Sequence, residues 1–131
     1  MMGIDSAHRP SLLLVDDEAR VLSSLERALR REGWLIIAAE SSREALEILE
    51  SHEFDVVLSD QKMPGMNGVE LLARIAESHP STVRFLLTGW SEEISQEALS
   101  SAGVEKVISK PWDDVELKTL LRRHLGSGLT G

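Results

Sequence analysis

"VVLSDQKMPGMNG", Val56 to Gly68, runs from an apolar segment through a single acid, Asp60, into a loop of Met, Pro and Gly. The apolar part, with Asp55 before it, is too short for a helix and suits a strand, Asp55–Ser59, buried on both faces. An acid at such a strand end is commonly a turn or cap residue. It can also be a reactive carboxylate presented by a rigid scaffold. The remainder of the chain decides between the two.

The same grammar recurs on either side. "SLLLV" (Ser11–Val15) stops at Asp16, Asp17 and Glu18, and "WLIIAA" (Trp34–Ala39), "TVRFLLT" (Thr82–Thr88) and "VEKVIS" (Val104–Ser109) are further strand candidates. Between them the apolar residues change to helical spacing. Val21, Leu22, Leu25, Ala28 and Leu29 mark one helix, with Gly33 as its stop. Ser41 and Glu44 have the spacing of a capping box ahead of Ala45, Leu46, Ile48 and Leu49. Val69, Leu71, Leu72 and Ile75 mark a helix ending before Pro80. Ser91–Ser101 forms a weakly apolar helix with Ile94, Ala98 and Leu99 inward, and Val115, Leu117, Leu120 and Leu121 a last one. Five strand–helix units in strict alternation predict a doubly wound (βα)5 fold of the α/β class, a parallel sheet between two helical layers. Residues 11–126 form the domain, 1–10 a leader and 127–131 a Gly-Ser tail or the start of a linker.

The totals narrow the function. A chain of 131 residues suits one domain. It has no cysteine, which excludes disulfides and thiolate metal sites, and its four His have no ligand-like spacing. A net charge of -8 disfavours direct, sequence-independent nucleic-acid binding. No apolar run approaches a membrane span, and "MMGIDSAHRP" lacks the pattern of a signal peptide, so a cytoplasmic location is the expectation.

In open parallel sheets, ligands bind outside the carboxyl ends of the strands. Asp16 and Asp17 follow the first strand, Asp60 the third, Thr88 closes the fourth, and Lys110 and Pro111 follow the fifth. Taken singly, each has a plain explanation: a cap, an ordinary strand residue, a solvated lysine. Jointly they put three carboxylates, a hydroxyl and an ammonium on one sheet edge. Two carboxylates ~4 Å apart repel by about 4 kcal/mol at an effective dielectric near 20. Such a group therefore calls for a cation, and an all-oxygen donor set suits Mg²⁺. A magnesium site beside a carboxylate points to phosphoryl transfer, with Asp60 as nucleophile and Lys110 and Thr88 contacting the phosphoryl oxygens.

In "LLLVDDE", "VVLSDQKMPGMNG", "LLTG" and "ISKP", in that order and spacing, the chain resembles the receiver domain of bacterial two-component response regulators. The likeness covers roughly Ser11 to Leu125. It implies the flavodoxin-like strand order 2-1-3-4-5. It implies that Asp60 is the phosphoacceptor, that Asp17 binds Mg²⁺ directly and Asp16 through water, and that the Lys62 carbonyl supplies a further ligand. It makes Thr88 the switch hydroxyl, Lys110 the phosphate-binding lysine, and Lys110–Pro111 a bond often cis. The expected partner is a histidine kinase or phosphotransfer protein. A C-terminal output domain or downstream protein and a phosphorylation-dependent homodimer are also to be expected. The domain would catalyse transfer to itself and its own slow hydrolysis, rather than act as an enzyme on a separate substrate.

Two departures stand out. Where the family usually has an aromatic switch residue, this chain has Val107. Trp90 and Trp112 lie nearby in sequence, and the resemblance implies that Trp90 and Lys62 occupy the positions flanking the route by which water would reach an acyl phosphate. Both are bulky and are expected to shield it. Competing readings fit less well. A dinucleotide-binding domain needs a Gly-rich turn after the first strand, where this chain is acidic. An Asp-dependent phosphatase would carry its nucleophile there and leave Asp60 without a role. A receiver-like interaction module that is never phosphorylated is the principal alternative.

Overall fold

In the computed structural model, which describes residues 9–89 and 93–126, strands β1 (Ser11–Val15), β2 (Leu35–Ala39), β3 (Val56–Asp60), β4 (Val83–Gly89) and β5 (Lys106–Lys110) form one parallel sheet. Their order is β2-β1-β3-β4-β5, as the resemblance implies. Helices α1 (Ala19–Leu29), α2 (Ser42–Leu49), α3 (Gly68–Ser78), α4 (Gln96–Ser101) and α5 (Asp114–Leu125) connect and cover it.

Strand alternation builds two cores. Leu12, Leu14, Leu58, Phe85 and Leu87 point to one face, where Leu22, Leu25 and Leu29 of α1 and Leu117, Leu121 and Leu125 of α5 meet them. Leu13, Val15, Val57 and Leu86 point to the other, against Leu49 of α2 and Leu71, Leu72 and Ile75 of α3. β1 and β3 are buried along their whole length, which explains their uninterrupted apolar sequence.

Local expectations fare unevenly. Gly33 ends the first helical segment at φ 82, a left-handed conformation that glycine adopts without steric cost. Before it, Arg30–Glu32 tighten into a 3-10 turn. Ser41 caps α2 by accepting the Glu44 N–H, but the Glu44 carboxylate reaches back to the N–H of Glu40 rather than that of Ser41. The capping box that closes reciprocally is Asn67 with Glu70. Trp34 precedes β2 instead of opening it; its buried ring donates Nε1–H to the Gly126 carbonyl at 2.8 Å. Of the helix expected over Ser91–Ser101, the described residues form α4 from Gln96, because Ser95 caps it and leaves Ile94 outside; Ser91 and Glu92 lie outside the described residues. Val104 and Glu105 precede β5, since Gly103 turns the chain at φ 63. Val115, expected inward on α5, is 72% exposed. The leader residues 1–8, the tail 127–131 and Trp90 lie outside the described residues.

One ion pair ties the two helical ends of the first core. Arg122 of α5 donates Nε to Glu32 Oε1 at 2.6 Å and Nη2 to Oε2 at 2.8 Å. These bonds outweigh the burial of Glu32 and hold its carboxyl below its ordinary pKa of 4.5. A depressed acid contributes stability above its unfolded pKa and loses it as pH falls through the folded value. Thermal unfolding should therefore weaken more steeply below about pH 4.5 in the unaltered chain than in Glu32→Gln, by a few degrees in Tm. Parallel Tm–pH curves would remove the pair from the acid response.

Candidate functional site

Parallel register brings the polar strand ends to one edge. Asp60 closes β3 beside Leu87 of β4, and Lys110 closes β5 beside Gly89. Both are the last residues of their strands, one position earlier than a reading of the sequence places them. Asp16 follows β1, and its N–H bonds the Ala39 carbonyl of β2. Lys110 stands two strands from Asp60, and its long side chain spans the end of β4. Its ammonium lies 2.8 Å from Asp60 Oδ1 and 3.3 Å from Asp16 Oδ2. Asp16 Oδ1 accepts the Glu18 N–H at 2.8 Å, so Asp16 steadies the turn into α1 through its own carboxylate. Glu18, not Asp16 or Asp17, occupies the N-cap position of α1.

The electrostatics follow from burial. Asp16 and Asp60 are buried, Asp17 is exposed. Desolvation raises the pKa of Asp16 despite the Glu18 N–H and the Lys110 charge, which pull it down. Burial pulls the Lys110 ammonium down, but its bond to Asp60 and the fields of Asp16 and Asp60 outweigh that and leave its pKa raised. The lysine is thus a fixed cation across the neutral range.

An open pocket lies over this edge, lined by Asp17, Glu18, Asp60, Lys62, Met63, Pro64, Gly89 and Lys110. Asp16 sits beneath it. Gly89 rather than Thr88 is on the lining, and Thr88 is buried one residue behind. Carboxylate oxygens of Asp16, Asp17 and Glu18 approach within 4.8 Å of one another. Glu18 was not singled out from the sequence, although its adjacency to the paired aspartates was the available signal. The charged donors at this edge are carboxylate oxygens, with no thiolate or imidazole on the lining, and they fit a hard divalent cation such as Mg²⁺.

The floor of the pocket is held by a crowded backbone. Gly68 packs so closely that a Cβ there would lie 2.3 Å from the Asp60 carbonyl oxygen and 2.9 Å from Gln61 Cα. Gln61 Oε1 accepts the Val69 N–H, and the Gly68 N–H bonds the Gln61 carbonyl. Across the loop, Ser42 Oγ of α2 donates to the Met66 carbonyl at 2.9 Å. These tethers position the Met-Pro-Gly segment against Asp60. Val107 is exposed on β5, away from the acidic pocket, among residues that line a shallow groove with α5. Trp112 is half-buried at the approach to α5, with its indole N–H on Asp114 Oδ1 at 2.9 Å.

A doubly wound parallel α/β domain carrying an acidic, lysine-bridged site at its carboxyl strand edge is the class that fold and site define. The chain belongs to the response regulator receiver domain family, whose model matches residues 12–122. It is therefore a receiver domain of the response regulators of two-component systems. It is 35% identical over 96% of its length to the hydrogenase transcriptional regulatory protein HoxA of Cupriavidus necator, covering 26% of that protein. It is 34% identical over 92% of its length to the transcriptional regulatory protein ResD of Bacillus subtilis, covering 51% of it. The chain thus spans between a quarter and half the length of these curated relatives. Among solved structures, the signal receiver domain of an HD domain-containing protein from Pseudomonas fluorescens Pf-5 matches with TM-score 0.81 and 38% identity over 90% of this chain and 95% of that one. A receiver domain protein from Methanospirillum hungatei JF-1 matches with TM-score 0.84 and 28% identity over 90% and 94%. Among the described residues, no helix is long and apolar enough to cross a membrane.

Proposed function

We propose that this receiver domain is a phosphorylation switch in which Asp60 accepts a phosphoryl group from the phosphohistidine of a partner kinase or phosphotransfer protein. The observation that carries the proposal is the single ammonium of Lys110 bridging Asp60 and Asp16 at the mouth of a pocket that Asp17 also lines. A carboxylate oxygen of Asp60 attacks phosphorus, and the bond from phosphorus to the donor imidazole nitrogen breaks. That nitrogen keeps the electron pair and takes up a proton, and an acyl phosphate remains on Asp60. Lys110 exchanges its bond to Asp60 for one to a phosphoryl oxygen, so that its charge follows the charge being transferred. Thr88 donates a hydrogen bond to another phosphoryl oxygen. Asp17, Asp60 and the Lys62 carbonyl would hold Mg²⁺ directly, and Asp16 would act on it through water. The bound metal would neutralise charge building on the phosphoryl oxygens.

The readout is proposed to pass to the α4–β5–α5 face. α4 has only six residues and none of them is buried, which suits an element of low local stability. Val107 offers no ring to turn inward on that face. An output domain or downstream protein, and a homodimer formed on phosphorylation, are the proposed receivers of the signal, within the cytoplasm. The domain hydrolyses its own acyl phosphate slowly.

Acetyl phosphate with Mg²⁺ should add one phosphoryl group to the intact chain, read by mass spectrometry. Chelation of the metal or Asp60→Ala should abolish the addition. Labelling that persists in Asp60→Ala would overturn the assignment, and an absence of labelling in the unaltered chain would favour the interaction module. Lys62→Ala with Trp90→Ala should shorten the lifetime of the phosphorylated form by about tenfold if both side chains obstruct water, a barrier change near 1.4 kcal/mol. An unchanged lifetime would dismiss the shielding role.

A further inference from the structure

Charge is segregated between the two helical layers. Half of the chain's 14 Lys and Arg residues lie on α1, its 3-10 extension and α5, while α2, α3 and α4 carry only Arg43 and Arg74. Four of the former, Arg27, Arg30, Arg31 and Lys118, line one groove between α1 and α5. Arg27 and Arg30 also line the adjoining groove that runs toward Trp34 and the β2 edge. Among the described residues, none of the four makes an ion pair or a side-chain hydrogen bond. The acid in the groove, Asp114, is engaged by the Trp112 indole. In a chain of net charge -8, a surface shaped only by solubility would intersperse the two signs. Here Arg27, Arg30, Arg31 and Lys118 outnumber the one carboxylate on the groove, Asp114, and the field of Lys118 on Glu32 is already shared with the Arg122 pair, so the groove keeps an excess of positive charge.

We propose that the α1–α5 groove is a docking surface for a carboxylate-rich segment of a partner protein. Arginine forks match carboxylates two bonds at a time, which favours a protein acid over a diffuse counter-ion. Trp112 and Ala28, both half-buried in the groove, give one apolar side chain of that segment a place to pack. A nucleic acid fits less well. Its phosphates continue regularly beyond the groove, and the adjoining grooves carry Glu26 on one side and Asp113 and Glu116 on the other. The surface is separate from the Asp60 pocket, and the proposal does not depend on phosphorylation.

The test is a titration of the intact ¹⁵N-labelled chain, at low salt, with an oligoglutamate peptide carrying one leucine, and in parallel with a single-stranded DNA of equal charge. The peptide should shift the amides of Arg27, Arg30 and Lys118 and the Trp112 indole N–H. Its affinity should fall about tenfold in Arg27→Glu/Arg30→Glu and fall again with added salt. Arg27→Gln/Arg30→Gln, which removes the charges without reversing them, should show an intermediate loss and serves if the reversed pair perturbs the fold. Asp60→Ala should bind as the unaltered chain does. No shifts in the groove, shifts indifferent to both double variants, or tighter binding of the DNA would overturn the proposal.

Discussion

Lys110→Met is expected to unfold about 2–3 kcal/mol more readily than the unaltered chain, in urea at neutral pH without added metal. Methionine keeps the length and apolar stem of lysine and removes the charge, so little packing is lost. What is lost is the ammonium shared by Asp16 and Asp60, which lies 3.3 Å and 2.8 Å from their oxygens. Those carboxylates have side chains 1% and 4% exposed. Removing one member of a buried ion pair is costly because a desolvated charge stays behind. The Lys110 side chain is 23% exposed, and water reaching it keeps the loss below that of a fully enclosed pair. The sign with pH is fixed by the raised pKa of Lys110. Its contribution is complete below the unfolded value of 10.5 and disappears as pH rises through the higher folded value. The difference between variant and parent should therefore be present at neutral pH and close in strong alkali. Millimolar Mg²⁺ should also narrow it, because a second cation then meets the same acids. Equal stability at neutral pH would mean that the bridge contributes nothing to the fold.

Gly68→Ala should cost about 3 kcal/mol or more, beyond the usual range for overpacking. The added Cβ would meet the Asp60 carbonyl oxygen at 2.3 Å, Leu86 Cδ1 at 2.8 Å and Gln61 Cα at 2.9 Å. Leu86 can turn aside. The two backbone atoms cannot move without shifting the end of β3, and that end carries Asp60. The substitution should thus lower stability and, in whatever remains folded, slow phosphoryl uptake from acetyl phosphate. Gly65→Ala is the control, since nothing lies within 4 Å of its Cβ position, although its φ of 75 adds backbone strain. If Gly68→Ala is no worse than Gly65→Ala, the close approach at Asp60 is not what requires glycine.

The layered fold was legible because buried parallel strands leave an uninterrupted apolar signature. LLLV (Leu12–Val15) and VVL (Val56–Leu58) run without a polar residue, and β1 and β3 are buried throughout. The convergence of Asp16, Asp60 and Lys110 was legible from topology alone, as each stands at the carboxyl end of a strand. Less visible was how those residues are held. Whether Asp16 caps a helix or binds a lysine depends on a residue 94 positions away. The start of α4 was missed because Ile94 continues the helical spacing, while the cap at Ser95 interrupts it. Val115 was assigned inward on periodicity, and the structure places it on the open rim of the β5–α5 groove. The α1–α5 cations are spread over 92 positions of sequence and become a groove only when α5 lies beside α1.

The central claim is that Asp60, and no other carboxylate of this edge, carries the phosphoryl group. Reductive trapping reads this directly, since borohydride converts an aspartyl phosphate to homoserine and leaves free aspartate untouched. After reaction with acetyl phosphate and Mg²⁺, then trapping and digestion, homoserine is expected at position 60 alone. Homoserine at Asp16 or Asp17, or at no position in a chain that has gained phosphoryl mass, would contradict the account.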